Sequence, residues 1–146
     1  MLWLLRHGDA GDSAADDFSR RLTEKGEQQS RAAGLALARL EVRIDACLTS
    51  PQLRALETAR IAAAEIGVEV EETEALRGGD FDPDEVAAGR GAVLLVGHEP
   101  DFSRAIQLAT GGRVELKKGG LAAIDAGTLI ALLKPRQIAV IAGLRG

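Results

Sequence analysis

The chain has 146 residues, a net charge of −4 and 46% hydrophobic residues, which makes it one domain that needs neither disulfides nor metal to build a core. Its acidic balance excludes a general nucleic-acid surface, which requires a basic stripe. The solitary Cys47 excludes an internal disulfide, and no Cys/His cluster has zinc spacing.

In chain order, Met1 to Leu5 is an apolar run that reads as a strand. It is too short for a signal-peptide core, and no later segment reaches the ~20 apolar residues of a membrane span. A cytoplasmic protein is therefore expected. Residues 8–22 are small, acidic and long for a loop, and loops of that length in compact domains are usually functional or disordered. A helix is predicted over 23–40, with Ala33, Ala36, Leu37 and Leu40 on one face. The next strand, 44–48, carries Cys47 as buried filler. Ser50-Pro51 reads as the N-cap and first turn of a second helix. Its buried face is expected to be Leu56, Ala59, Ala63 and Ile66, with Gly67 as its stop.

Further strands are predicted at 68–71, 92–96, 121–125, 128–133 and 137–142. A short helix is expected over 83–88 and a longer one from about Pro100 to Thr110, stopped by Gly111-Gly112. Alternating strands and helices imply βαβ units and a mostly parallel sheet, and the last third reads as a short meander. With three Phe, one Trp and no Tyr, the core is made of Ala, Leu, Val and Ile. Residues 77–84 form a second candidate rim.

Both histidines follow strand-like runs, in Arg6-His7-Gly8 and Gly97-His98-Glu99-Pro100. Ligand sites in open α/β sheets form outside the carboxyl ends of parallel strands, so these two segments and Ser50 to Ala59 converge on one edge. That convergence suits phosphoryl transfer, which is catalysed mainly by positioning and countercharge. Arg6 and Arg54 offer forked donors to phosphoryl oxygens, and Gly8 lets backbone approach a ligand. The helix opened at Ser50 adds free N–H groups. One imidazole can attack phosphorus while the other donates to the oxyanion.

These motifs resemble the histidine phosphatase superfamily, and in particular its short SixA-type phosphohistidine phosphatase branch. Arg6-His7-Gly8 resembles the signature whose histidine becomes phosphorylated. Ser50 to Ala59 resembles the motif whose arginine binds phosphate, and Gly97-His98 with Pro100 the motif whose histidine contacts the phosphoryl group. Arg20-Arg21-Leu22-Thr23 with Gly26, and Lys117 to Ala122, resemble two further segments of the branch. The resemblance implies a three-layer α/β sandwich of the phosphoglycerate-mutase type. It also implies catalysis by His7, Arg6, Arg54 and His98, and phosphate binding by Arg6, Gly8, Arg20, Arg54 and His98, without metal or cofactor. The roles of Lys117 and Lys118 stay open.

Larger members carry a catalytic glutamate after the third strand, and residues 74–82 have no clean counterpart. Asp9, Asp80 and Glu99 are the candidate general acids, while Glu57 is expected to orient an arginine one helical turn away. Loss of the acid favours leaving groups of low basicity, such as imidazole. The leading reading is a metal-independent phosphatase for phosphohistidine on a protein, such as a histidine phosphotransfer domain. A phosphatase of small metabolites and a non-catalytic phospho-ligand sensor are the alternatives.

Overall fold

The computed structural model describes residues 1–12 and 15–144. Six strands form one sheet: β1 (Leu2–Arg6), β2 (Ala46–Thr49), β3 (Val70–Glu72), β4 (Val93–Gly97), β5 (Leu121–Asp125) and β6 (Thr128–Leu133). Their spatial order is β3-β2-β4-β1-β5-β6. The first four are mutually parallel, and β5 and β6 add an antiparallel edge. The β5–β6 turn holds Ala126 and Gly127 at φ 46° and 80°, the pair of positive values that a tight two-residue hairpin requires.

Helices cover both faces. Helix α1 (Glu24–Arg39), α2 (Leu53–Ile66) and α5 (Pro135–Ile141) lie on one; α3 (Pro83–Ala87) and α4 (Asp101–Thr110) lie on the other. Strand alternation divides β1 between the two layers. Trp3 and Leu5 join the Ala-rich layer of α1 and α2, while Leu2 and Leu4 pack with Phe102 and Ile106 of α4. Small side chains let α1 and α2 pack closely. A Cβ on Gly34 would stand 2.5 Å from the carbonyl oxygen of Ala62. No helix among the described residues is long and apolar enough to cross a membrane.

Thr23 caps α1, its hydroxyl accepting from Gly26 N–H. Ala33, Ala36 and Leu37 are fully buried as expected, but Leu40 is 46% exposed because it is the C-cap, past the last packed turn. In α2 the buried stripe runs through Ala55, Ala59, Ala62 and Ala63, with Leu56 and Ile66 only half-buried at its edges. The largest correction is at 137–142, which is helix rather than strand. Pro135 occupies the first helical turn and the Gln137 side chain accepts from Lys134 N–H. Ile138 and Ala142, four apart, then face the core while Val140 is 73% exposed. An apolar run as short as Ile138 to Ala142 satisfies both periods, so only its flanks distinguish them.

Candidate active site

β1 continues into α1 on one face of the sheet, and its neighbour β4 continues into α4 on the other. Chain paths that diverge from adjacent strand ends leave a crevice, and both histidines stand in it. Arg6 is in register with Gly97, and His7 N–H donates to Gly97 O at 3.0 Å. The two imidazole centroids are 5.3 Å apart.

His7 is buried, and its Nδ1 lies 2.7 Å from Gly8 O. A carbonyl can only accept, so Nδ1 carries the proton and Nε2 keeps its lone pair. Arg54 Nε, 3.4 Å away, donates towards that lone pair. Burial is the main cause that pushes the His7 pKa down to about 3, with His98, Arg54 and Arg6 adding positive field. At neutral pH the ring is therefore uncharged, the nucleophilic form.

His98 Nε2 is 2.7 Å from Ser50 Oγ, and the same oxygen accepts from Gln52 N–H at 3.1 Å while its hydroxyl or the ring nitrogen carries the shared proton. Ser50 is thus not the N-cap of α2, which starts at Leu53 after Gln52. Its hydroxyl instead holds His98. Burial, with Arg54 and Arg6, pushes His98 down to about 4, against an opposing pull from Asp17.

Arg54 extends from the first turn of α2. Its Nη1 donates to Asp17 O at 2.9 Å and its Nη2 lies 3.4 Å from the Asp17 carboxylate. One turn on, the buried Thr58 hydroxyl donates to Arg54 O (2.7 Å) and accepts from Gly8 N–H (3.1 Å). Thr58 therefore ties the His7 turn to the helix that carries Arg54. Arg6 is half-buried, with Nη1 donating to Leu116 O at 2.9 Å. Its buried Nε has no partner among the described residues.

The 8–22 loop is closed at its base by a bridge between Ala10 and Leu22. Arg20 donates to Gly11 O (2.9 Å) and to Asp17 (3.1 Å) and pairs with Asp12 (3.6 Å). It reaches the crevice only through Asp17, shared with Arg54. Gly8 packs against the first turn of α1, where a Cβ would stand 2.6 Å from Gly26 O. Lys117 pairs with Glu115 and Lys118 with Asp9, and the turn they begin docks on the end of β1 through Gly119 N–H to His7 O.

The three carboxylates singled out as acids are engaged elsewhere. Asp9 accepts from the Thr23 hydroxyl at 2.8 Å, a bond that with Lys118 holds it below the usual carboxylate range. Asp80 pairs with Arg104. Glu99 accepts from Ser103 and from Leu116 N–H. Glu57 binds Arg21 and Leu22 N–H across the loop, not an arginine one turn along its own helix. The 77–84 segment is part rim and part core, since the Phe81 ring packs at a tilt against Phe102, centroids 5.6 Å apart. Asp17, which nothing in its local sequence singles out, is the carboxylate that contacts Arg54. Among the described residues, no three His, Cys, Asp or Glu side chains group closely enough to hold a metal ion.

Comparison with known proteins agrees with this architecture. A family model for the histidine phosphatase superfamily (branch 1) matches residues 2–100. An uncharacterized protein of Picosynechococcus sp. is 39% identical over 141 residues, covering 86% of this chain and 85% of that one. The serine/threonine-protein phosphatase Pgam5 of Drosophila persimilis is 38% identical over 66 residues, 45% of this chain and 23% of its own length. Among solved structures, the protein histidine phosphatase SixA complexed with tungstate superposes with a TM-score of 0.79 at 26% identity, over 92% of this chain and 96% of that one. A putative phosphohistidine phosphatase SixA from Nakamurella multipartitia gives 0.72 at 26% identity, over 92% and 95%. The chain belongs to the histidine phosphatase superfamily, branch 1, and within it to the short SixA type.

Proposed function

We propose that this protein is a phosphatase that removes the phosphoryl group from phosphohistidine on a protein, or from a related phosphoramidate, through a covalent phosphohistidine on His7. The observation that carries the reading is the neutral Nε2 of His7, held towards Arg54 by the Nδ1–H to Gly8 O bond. Nε2 attacks phosphorus as the bond to the leaving nitrogen breaks, and a leaving imidazole that already carries a proton on its other nitrogen departs as the neutral ring. Water then attacks the phosphorylated His7, giving inorganic phosphate and restoring the neutral ring. Arg6 and Arg54 supply the countercharge and the neutral His98 a ring N–H, with Arg20 and the Gly8 turn at the rim, so no metal is needed for this role. The tungstate complex of SixA supports an oxyanion site of this kind.

The leaving-group preference follows from the carboxylates. Asp9, Asp80 and Glu99 are engaged away from the histidines, and expelling an alkoxide calls for a strong acid where expelling imidazole does not. A phosphomonoester substrate is the second reading, favoured by the partial match to a serine/threonine-protein phosphatase. Parallel turnover of a phosphohistidine-bearing protein and of phosphoserine peptides and sugar phosphates, with His7→Ala as the blank, separates the two. Faster loss of phosphohistidine supports the proposal. Vigorous phosphoserine or sugar phosphate turnover gives the site to the ester reading, and a fully active His7→Ala protein removes both.

A further inference from the structure

The contacts of Arg54 and Arg20 point to a role for a residue outside the motifs. We infer that Asp17 is an internal anion that competes with the incoming phosphoryl group for these two arginines and so sets the affinity of the site for oxyanions. The inference rests on the proposed phosphoryl site and adds to it a built-in competitor.

Arg54 has all three nitrogens in use: Nε on His7, Nη1 on the Asp17 carbonyl and Nη2 on the Asp17 carboxylate. The same carboxylate binds Arg20 Nη1 at 3.1 Å. An oxyanion approaching His7 thus meets arginines that already face a negative charge. The geometry also says which partner yields. The Arg54 side chain is 9% exposed and that of Asp17 is 66% exposed, so the carboxylate is the solvent-facing partner and the one free to swing away.

Displacement needs no unfolding of the loop. The backbone stays anchored by Asp17 O on Arg54 and by Leu53 N–H, at the start of α2, donating to Phe18 O at 3.0 Å. Rotation of one side chain is enough to release Nη2 of Arg54 and Nη1 of Arg20, while the carbonyl keeps the guanidinium aimed. When inorganic phosphate is the product, return of the carboxylate favours its release. An exposed carboxylate at 3.1–3.4 Å from its partners is worth little, so the competition amounts to a factor of about two to five per contact.

The test is titration calorimetry with tungstate, together with product inhibition by inorganic phosphate, on the wild type, Asp17→Asn and Asp17→Ser. Asp16→Asn is the control, because it makes the same charge change one residue away on a carboxylate that binds Ser19 N–H rather than an arginine. Tighter tungstate binding by about two- to tenfold in both Asp17 variants, a matching fall in the phosphate inhibition constant and little change in Asp16→Asn are expected. Loosening of the loop or misplacement of Arg54 weakens binding, so tightening is a readout that a structural role does not produce. Unchanged or weaker binding in the Asp17 variants, or equal tightening in Asp16→Asn, overturns the inference and leaves the phosphoryl site intact. Failure of the wild type to bind tungstate, or binding indifferent to Arg54→Ala, removes the phosphoryl site and the inference with it.

Discussion

Arg54 Nε stands 3.4 Å from His7 Nε2 and donates towards it, so the guanidinium that would hold a phosphoryl group also keeps the attacking nitrogen unprotonated. Each effect supports the other. A cation beside His7 disfavours imidazolium, and a neutral imidazole can accept from that cation. Binding a phosphoryl dianion between them reverses the field and stabilises the charge that develops on His7 as the N–P bond forms.

Arg54→Ala and His98→Ala are expected to lower kcat/KM by about 10²–10³ each, the usual effect of losing a donor aimed at developing charge. Melting temperatures should stay within about 4 °C of wild type, roughly 1 kcal/mol for a chain of this size. Burial already disfavours the charged form of Arg54, so its removal relieves desolvation even as it frees Asp17. Ser50→Ala should reproduce part of the His98 effect on kcat with little change in KM, because it removes the 2.7 Å bond that holds the ring. Calorimetric scans beside steady-state kinetics decide the matter, and a large drop in melting temperature would assign that residue to the fold.

The two histidines give stability a definite pH dependence. Above pH 6.5 each is neutral whether folded or unfolded and contributes nothing. As pH falls from 6.5 towards about 4 for His98 and about 3 for His7, the unfolded chain binds protons that the folded one refuses. Stability should therefore fall with falling pH, by about 1.4 kcal/mol per pH unit for each full proton of difference. Urea titrations between pH 6.5 and 4.5 should show a shallower slope in His7→Asn and His98→Asn. Activity should behave differently from that of an exposed histidine: kcat/KM, corrected for substrate ionisation, is expected to show no acid limb near 6.5. A limb there that disappears in His98→Asn would contradict the buried, neutral pair.

The His7 turn and the start of α1 meet backbone to backbone. A Cβ on Gly26 would stand 2.0 Å from Asp9 O, and one on Gly8 would stand 2.6 Å from Gly26 O. Neither obstacle is a flexible side chain that can step aside. Gly26→Ala and Gly8→Ala should each cost about 1–3 kcal/mol and lower kcat/KM by at least tenfold through displacement of His7. Gly78→Ala, where nothing lies within 4 Å of the added atom, is the matched control and should be neutral in both denaturation and kinetics.

Much of this site is legible in the chain because strand ends are legible. A run such as Val93 to Val96 must stop at Gly97-His98, and parallel topology then carries His98 to His7 without further information. Arg54 is legible for the same reason, as a first-turn residue of the helix after β2. Asp17 is not. Its partner lies 37 positions away, across a loop with no periodicity to fix where any side chain points. Ser50 was legible as a hydroxyl before a helix, but local sequence does not reveal that the hydroxyl turns to His98 instead of to the helix. The exchange of strand for helix at 137–142 has the same origin, since a short apolar run takes its period from its flanks.

The leaving group is the strictest test of the proposed chemistry. With Asp9, Asp80 and Glu99 bound to other partners, none of these three candidate acids is held ready to protonate an alkoxide. His98, depressed to about 4, is a weak source of protons in the free enzyme at neutral pH. Rate should therefore fall steeply as leaving-group basicity rises, from nitrophenyl phosphates through phenyl to alkyl phosphates, with phosphohistidine at the fast end. Single-turnover rates of phosphorylation of His7 along that series give the slope directly and keep product release out of the measurement. A shallow slope would mean that a proton donor is recruited when substrate binds. Asp17, once displaced from Arg54, would then be the first carboxylate to substitute: a slope that steepens in Asp17→Asn would identify it as the donor, and one that stays shallow would direct attention to His98, charged by the bound dianion.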